Sequence, residues 1–433
     1  MWKKLISVVA LLLLLGGCAT LNFYSSVDSY VATGQYADAD KVIETNKLNY
    51  KGESELVYYM DKGALLQMAG NYKESTALLE KGDVLLDALY TKSISKEAVS
   101  FLTNDLTLPY SGEDFEQVMI NVLKALNFMY EGNYQDAQIE ARKVNNKLNL
   151  LSDMYEGKNI YKADAFARYI SAFCFEATGD NNNAFIDYKK SIEAYTQYQT
   201  LYGTALPEQV IKDAMRTAEA LQFNDKLKEL KDTWGQKKYI SQSEMNKYGE
   251  LLLVVYDGMA PFKTSKYLTT TVYDDKKNPY VIRVAFPQFN KRPAAVQYIT
   301  VDNGTGVYTS AVAEDITEIA VKNLESKNLL ISIKAIARAA AKFFAEQAIT
   351  QKTNGNAVVN VLASIYNVAS EQADTRSWRT LPARFHFVRV PVKAGKSTVK
   401  VTFYEANGST NEQVLDIKVK AGKKMTMPVY RFN

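Results

Sequence analysis

Apolar residues in the first half of the chain recur at the spacing of a helix. From Ser25 to Lys238 they return every three to four positions, and this stretch contains two prolines, Pro109 and Pro207. Such a period is that of an α-helix with one buried face. The pattern therefore predicts that helices form this half of the chain.

After Ser243 the pattern changes to short apolar or alternating runs that end at turn residues, which is typical of β-strands. The predicted strands cover Leu251–Tyr256, Tyr267–Tyr273, Tyr280–Phe286, Ala295–Val301, Val307–Val312, Phe385–Val390, Thr398–Tyr404, Val414–Val419 and Met425–Arg431. A helical period returns from Glu314 to about Ile349 and from Asn356 to about Ala373, so a helical insert divides the strands.

Alternation within the last strands indicates how the sheet is buried. Val399, Val401 and Phe403 alternate with polar residues, which gives one apolar and one polar face, as antiparallel sheets allow. We therefore predict an α+β multidomain protein. A helical solenoid covers residues 25–240, and a strand-rich, antiparallel, sandwich-like domain covers residues 245–433 with a helical insert at about 314–373.

One short phrase occurs four times in the helical half. Each copy begins with glycine and has a small residue five positions later. The pairs are Gly34 and Ala39, Gly70 and Ser75, Gly132 and Ala137, and Gly179 and Ala184. The glycine can end one helix in a left-handed cap, and the small residue lets the next helix approach closely. The phrase predicts four helical hairpins, within a range of three to five.

This phrase resembles the centre of the tetratricopeptide repeat, in which the glycine joins the two helices of each hairpin. Successive copies lie 36, 62 and 47 residues apart, so the array is irregular, and Leu106–Gly112 has the composition of a loop within it. The resemblance implies a curved solenoid whose groove binds a peptide or a helix of a partner protein.

The chain opens with the order of a secretory signal: two lysines, an apolar stretch from Leu5 to Leu15, and small residues before Cys18. The apolar stretch is too short to cross a bilayer, which takes about 20 residues. The ending Leu15-Gly16-Gly17-Cys18 resembles the lipobox of bacterial lipoproteins. That resemblance implies a signal peptide over 1–17, lipidation of Cys18, a tether over 18–24 and an outer-membrane anchor facing the periplasm. The alternative is an ordinary signal peptide with an incidental cysteine.

Composition excludes several classes of function. The 52 basic and 48 acidic residues leave a net charge of only +4, too little for a protein that coats nucleic acid. One histidine and two cysteines are too few for a structural zinc site. Neither a nucleophile elbow nor a phosphate-binding glycine loop is present. We predict no metal, no cofactor, no nucleic-acid partner and no catalysis.

Charge is uneven near the last strands, because no acidic residue occurs from Thr375 to Tyr404. The candidate contacts for an anion or an acidic partner in this stretch are Arg376, Arg379, Arg384 and His386. Alternatively, Arg376 and Arg379 pair with nearby acids and hold the loop from Asp374 to Pro382.

These features together are typical of a lipid-anchored periplasmic scaffold that binds periplasmic or outer-membrane proteins through its groove. The alternative is an envelope lipoprotein whose C-terminal domain binds, or acts on, peptidoglycan or another polysaccharide. A glycosidase could hold two distant carboxylates that a sequence does not reveal as a pair.

Overall fold

The computed structural model describes residues 23–93, 106, 108–273, 279–352 and 373–432. Three sequence predictions fall outside these residues. They are the signal peptide with Cys18, the tether up to residue 22, and all but the last residue of the second insert helix, Asn356–Ala373.

Helices form the first half of the described chain, as predicted. They are α1 (residues 23–32), α2 (Tyr36–Thr45), α3 (Glu55–Met68), α4 (Tyr72–Ser93), α5 (Asp114–Tyr130), α6 (Tyr134–Met154), α7 (Ala165–Ala177), α8 (Asn181–Tyr202), α9 (Glu208–Ala220), α10 (Asn224–Trp234) and the short α11 (Gln242–Met245). From α2 to α10 each helix packs against the one that follows it. The first ten helices form five successive hairpins, which we call the helical array.

Four of the five hairpin turns are built on glycine. At Gly70, for example, φ is +81°, its N–H donates to the carbonyl of Gln67, and the N–H of Asn71 donates to that of Leu66. This pattern of bonds satisfies the last carbonyls of a helix and needs a left-handed residue at its end. The fifth turn has the same bonds, but its left-handed residue is Gln222, with φ +57°. The sequence phrase therefore did not reveal the last hairpin.

The strands of the second half are β1 (Gly249–Met259), β2 (Phe262–Tyr273), β3 (Pro279–Asn290), β4 (Val296–Asp302), β5 (Val307–Thr309), β6 (Ala311–Asp315), β7 (Pro382–Val392), β8 (Gly395–Glu405), β9 (Thr410–Val419) and β10 (Lys424–Arg431). An inner sheet has the order β10-β1-β7-β6, and an outer sheet has the order β5-β4-β8-β9. The pairing departs from the antiparallel prediction at β10, which runs parallel to β1.

The two sheets pack face to face around an apolar core. Leu251 and Leu253 of β1 point into it, together with Val399 and Val401 of β8. The residues between them in β1, including Leu252 and Val254, point the other way and join the core of the helical array. Burial on both faces explains why β1 is a continuous apolar run.

Strands β2 and β3 form a separate two-stranded sheet beside a long helix, α12 (Ile316–Lys352). One face of this sheet packs on α12, where Ile282 and Val284 contact Ala335 and Ala339. We call β2, β3 and α12 together the arm.

Candidate functional site

The first helices of the second to fifth hairpins, α3, α5, α7 and α9, present a common surface, which we call the first-helix face. The inner sheet lies on this surface. The ring of Phe387 in β7 is 4.3 Å from that of Tyr169 in α7, and the ring of Phe385 is 5.5 Å from that of Phe166. One apolar core therefore includes residues on both sides of the predicted boundary near residue 240.

A buried chain of hydrogen bonds joins the array to β1. The hydroxyl of Tyr256 donates to the side-chain oxygen of Gln67 at 2.7 Å, and the Gln67 amide donates to Asn127 at 2.7 Å. Asn127 donates in turn to the hydroxyl of Ser75 at 2.9 Å, and Ser75 donates to the carbonyl of Gly63 at 2.7 Å. Because buried polar groups need partners, this chain fixes the position of the sheet on α3 and α5.

A second attachment is a buried cluster of charged groups, which we call the ion network. It contains three acids and three bases, and every side chain is at most 8% exposed. The members are Glu176, Asp213, Arg216, Glu250, Arg389 and Lys424. The formal charges cancel, since 3 − 3 = 0, which is what burial of so many ions requires.

Arg389 is the central member of the ion network. Its guanidinium contacts Glu176 of α7 at 2.8 Å, Asp213 of α9 at 3.0 Å, and Glu250 of β1. Lys424 of β10 contacts Glu176 at 3.0 Å and also pairs with Glu250. The network therefore ties three strands of the inner sheet to two helices.

Two acids of the ion network, Glu176 and Glu250, are held in their charged form. Burial raises the pKa of Glu176, but the charges of Arg216, Arg389 and Lys424 outweigh it and lower the pKa to about 2. Glu250 is buried as well, and the same three cations lower its pKa well below the usual range. Groups locked in one protonation state are poor general acids or bases near neutral pH. Glu176 and Glu250 are therefore suited to hold the sheet on the helices as charged partners.

A third contact brings two carboxyl groups together. Glu314 of β6 accepts a hydrogen bond from Tyr198 of α8 at 3.2 Å, and Asp164 accepts one from Tyr161 at 2.9 Å. Burial, and then the charge of Asp164, raise the pKa of Glu314 well above its usual range. The second oxygen of Glu314 has no partner among the described residues. The raised pKa favours the protonated form of Glu314, whose hydroxyl is then available to donate to Asp164.

The predicted repeat residues all lie at the hairpin turns or directly behind them. Each of the four glycines has a positive φ. The small residues are fully buried at the start of the following helix; they are Ala39, Ser75, Ala137 and Ala184. These residues are part of the packing between helices and leave no surface for a ligand.

The four candidate contacts of the acid-free stretch do not form one exposed patch. Arg376 pairs with Asp374 at 2.7 Å and donates to the carbonyl of Glu53, also at 2.7 Å. Arg379 lies 3.3 Å from Asp28 of α1. Both arginines thus join their loop to the helical array.

Arg384 and His386 lie on one face of β7. Arg384 is 3.5 Å from Asp315 of β6. His386 is fully buried, with its Nε2 3.4 Å from Asp257. Its burial corrects the prediction that His386 contacts an anion or a partner, because its ring has no access to solvent.

Sequence reasoning missed the ion network. Arg389 belongs to the acid-free stretch, and its strand neighbours two and four positions earlier, Phe387 and Phe385, are aromatic. That period of two puts Arg389 on the apolar face of the strand, which was the available signal. Its acidic partners lie up to 213 positions away.

Within the part of the chain that the structure describes, no group of His, Cys, Asp and Glu side chains is arranged to hold a metal ion. Among the same residues, none of the helices has both the length and the apolar character needed to cross a membrane.

Comparisons with known proteins give structural likenesses to part of the chain. No protein-family model matches it. No curated protein matches it either. Solved structures similar to it include a Podosopora anserina kinesin light chain with nearly identical TPR-like repeats, at 15% identity and a TM-score of 0.31 over 48% of this chain and 90% of that chain. A point variant of that protein has a TM-score of 0.32 at 15% identity, over 49% and 91%. MamA from MSR-1 has a TM-score of 0.26 at 12% identity, over 49% and 97%.

Proposed function

We propose that this protein is a non-catalytic scaffold of the bacterial cell envelope, anchored through Cys18 in the outer membrane and facing the periplasm. The order of the leader and the small residues before Cys18 support the anchor. The helical array supports the scaffold, because stacked hairpins are suited to hold a second element along their length.

The observation that carries the proposal is the inner sheet on the first-helix face. The chain itself occupies this surface. Its inner sheet is held there by the aromatic contacts, the hydrogen bonds of Tyr256 and the ion network. A partner could lie there only by displacing the sheet. We therefore propose that partners bind other surfaces, and that the helical array serves as the base that holds those surfaces in place.

The arm is the surface that we propose for a partner protein. The face of β2 and β3 turned away from α12 exposes Tyr267, Tyr273 and Val281 to 49%, 63% and 70%. Arg283 lies on the same face, with its guanidinium 4.0 Å from the ring of Tyr267. Exposed apolar residues grouped on one face are typical of protein contacts. A partner with an apolar surface and an acidic group for Arg283 fits this face.

The test is site-specific crosslinking in intact envelopes. A photocrosslinking amino acid is placed at Thr271 or Tyr273 on the arm, and at Val414, which is 65% exposed on β9, as the control. We expect one discrete adduct from both arm positions and none from Val414. The same adducts at Val414, or none at either arm position, would contradict the proposal.

A second function is favoured by a specific feature of the outer sheet. Tyr298 of β4 and Tyr404 of β8 stack with ring centroids 4.5 Å apart and planes at 15°. Tyr298 is 38% exposed, and Thr300, Thr402 and Lys400 continue this face. We call this stacked pair the tyrosine platform. Its exposed ring edges, beside the half-buried Thr300, suit a polysaccharide such as peptidoglycan.

Binding to cell wall is tested with the full mature chain, because the inner sheet shares its core with the array. The chain should sediment with purified cell wall, and the Tyr298→Ala, Tyr404→Ala double variant should stay in solution. Tyr267→Ala on the arm is the control. Equal sedimentation of the double variant would exclude the tyrosine platform as the binding site.

A further inference from the structure

A cleft opens where the chain passes from the outer sheet to the inner sheet. β5 pairs with β4 up to Thr309, and β6 begins at Ala311 beside β7. The N–H of Ser310 between them donates to the carbonyl of Ile299 at 2.9 Å, so this turn belongs to the outer sheet. The ladder between β6 and β7 ends with the pair of Ala311 and Phe387. Beyond Phe387, β7 has no described strand paired with it on this side.

The backbone of β7 presents hydrogen-bonding groups to this gap. The carbonyl of Pro391 accepts a hydrogen bond from the side chain of Asn303 at 2.6 Å. β1 pairs with the opposite edge of β7. The Pro391 carbonyl therefore points away from β1. Residues two apart in an antiparallel strand turn their backbone groups to the same edge. The N–H and carbonyl of Arg389 consequently face the gap.

The gap is large enough for a short segment of chain. It has a volume of about 480 Å³ and lies between β5, β7 and the start of α9. On the helix side it is lined by Glu208, Gln209 and Lys212. Its volume lies within the range of ligand sites, about 300–1,000 Å³. We call this space the β7 cleft.

A smaller cavity of about 110 Å³ adjoins the β7 cleft and shares Lys212, Tyr308 and Arg389 with it. Arg216 lines this cavity, is 2% exposed, and has a buried Nε that finds no hydrogen-bond acceptor among the described residues. A buried donor without a partner is destabilising, so a ligand oxygen or a water molecule would be stabilised there.

The charge around the β7 cleft is positive. The ion network below it is neutral, and the carboxylate of Glu208 is held by Lys212 at 2.8 Å and Lys237 at 3.4 Å. Lys238 lines the adjoining cavity. Glu219 also acts on Tyr239 of the adjoining cavity. These three lysines against two glutamates leave an excess of one positive charge, since 3 − 2 = 1. An anionic group is therefore favoured over a neutral or cationic one.

We propose that the β7 cleft binds a short extended peptide of another protein as an added strand beside β7, with a carboxylate of that peptide directed at Lys212 and Lys238. The backbone groups of Arg389 supply pairing that does not depend on peptide sequence, and the lysines supply the preference for a carboxylate. This is the chemistry of strand addition at an open sheet edge. The site shares no lining residue with the arm.

The test uses the full mature chain and a library of random heptapeptides with free C-terminal carboxylates. We expect selection of extended peptides that lose affinity about tenfold on amidation of the C-terminus or replacement of an acidic side chain. The Lys212→Glu variant should weaken the same peptides about tenfold. Lys189→Glu is the matched control, because the side chains of Lys189 and Lys212 are both 29% exposed and each pairs with one glutamate.

A second readout reports strand addition itself. Bound peptide should slow hydrogen exchange at the N–H of Arg389 about tenfold, with no change in β9 at the far edge of the outer sheet. Selection of no peptide, peptides that bind the Lys212→Glu variant equally well, or unchanged exchange at Arg389 would each overturn the proposal. Because the assay uses purified protein, failure of the arm as a partner surface would not affect it.

Discussion

The guanidinium of Arg389 in β7 contacts both carboxylate oxygens of Glu176 in α7, each at 2.8 Å. The pair joins residues 213 positions apart and is almost fully buried, with side chains 2% and 1% exposed. Removing one partner of such a pair leaves an uncompensated charge in the interior. The contact therefore links the inner sheet to the helical array.

Loss of the Tyr256 hydroxyl should destabilise the protein. A Tyr256→Phe variant leaves the buried side-chain oxygen of Gln67 without its donor. We expect the free energy of unfolding to fall by about 1–3 kcal/mol in denaturant titrations. Tyr267→Phe on the exposed face of the arm is the control and should change it by less than about 0.5 kcal/mol. Equal effects would mean that Tyr256 does not hold the sheet.

Stability should depend on pH through Glu314. Its pKa in the folded state is raised by burial and by Asp164, so the folded protein favours the protonated form. This contribution is complete below the unfolded pKa of about 4.3 and is lost as the pH rises through the folded pKa.

At low pH a Glu314→Gln variant should therefore be no more stable than the wild type. As the pH rises, its free energy of unfolding should increase relative to that of the wild type. Glutamine keeps a donor for Asp164 and does not ionise. Chemical denaturation at a series of pH values gives the difference. A difference that does not change with pH would mean that the pKa of Glu314 is the same in the folded and unfolded states, which contradicts the account.

Two glycines in neighbouring helices should respond oppositely to alanine. A Cβ on Gly63 of α3 would lie 2.7 Å from two carbons of Leu79, whereas a Cβ on Gly82 of α4 would have ordinary contacts of 3.5 Å or more. Gly63→Ala should cost about 1–3 kcal/mol. Gly82→Ala should stabilise by about 0.4–1 kcal/mol, because it restricts the unfolded chain. Thermal unfolding of both variants measures the two changes in stability. Changes of the same sign would contradict the described packing between α3 and α4.

Lipid anchoring is tested at Cys18. A Cys18→Ala variant should leave the membrane fraction and lose incorporation of a labelled fatty acid, because its thiol is the proposed attachment point. Cys174→Ala is the control, since Cys174 is buried and should carry no lipid. A Cys18→Ala protein that stays in washed membranes would mean that another segment holds it there.

The elements of this fold were predictable wherever one local pattern decides them. Glycine in a left-handed cap marks four of the hairpin turns, and alternation of Val399, Val401 and Phe403 marks a strand with one buried face. The fifth hairpin lacked that mark because Gln222 occupies the left-handed position. A side chain in the left-handed region costs energy, which is why glycine is the usual residue there.

The attachment between the array and the inner sheet was not predictable in the same way. Arg389 appeared as one of several bases in an acid-free stretch, and only the fold brings Glu176, Asp213 and Glu250 to it. The parallel pairing of β10 with β1 is also a long-range choice that no turn signals. The repeat resemblance implied a groove from the helices of the array alone. It gave no sign that a sheet of the same chain covers the first-helix face.

The most direct test of this account is a double-mutant cycle between Glu176 and Arg389. Free energies of unfolding are measured for Glu176→Gln, Arg389→Gln, the double variant and the wild type. If β7 lies on α7 as described, the two changes should be non-additive by about 1–3 kcal/mol, because each single variant leaves an unpaired buried charge. Additivity within about 0.5 kcal/mol would mean that the two side chains do not touch. The inner sheet would then not occupy the first-helix face.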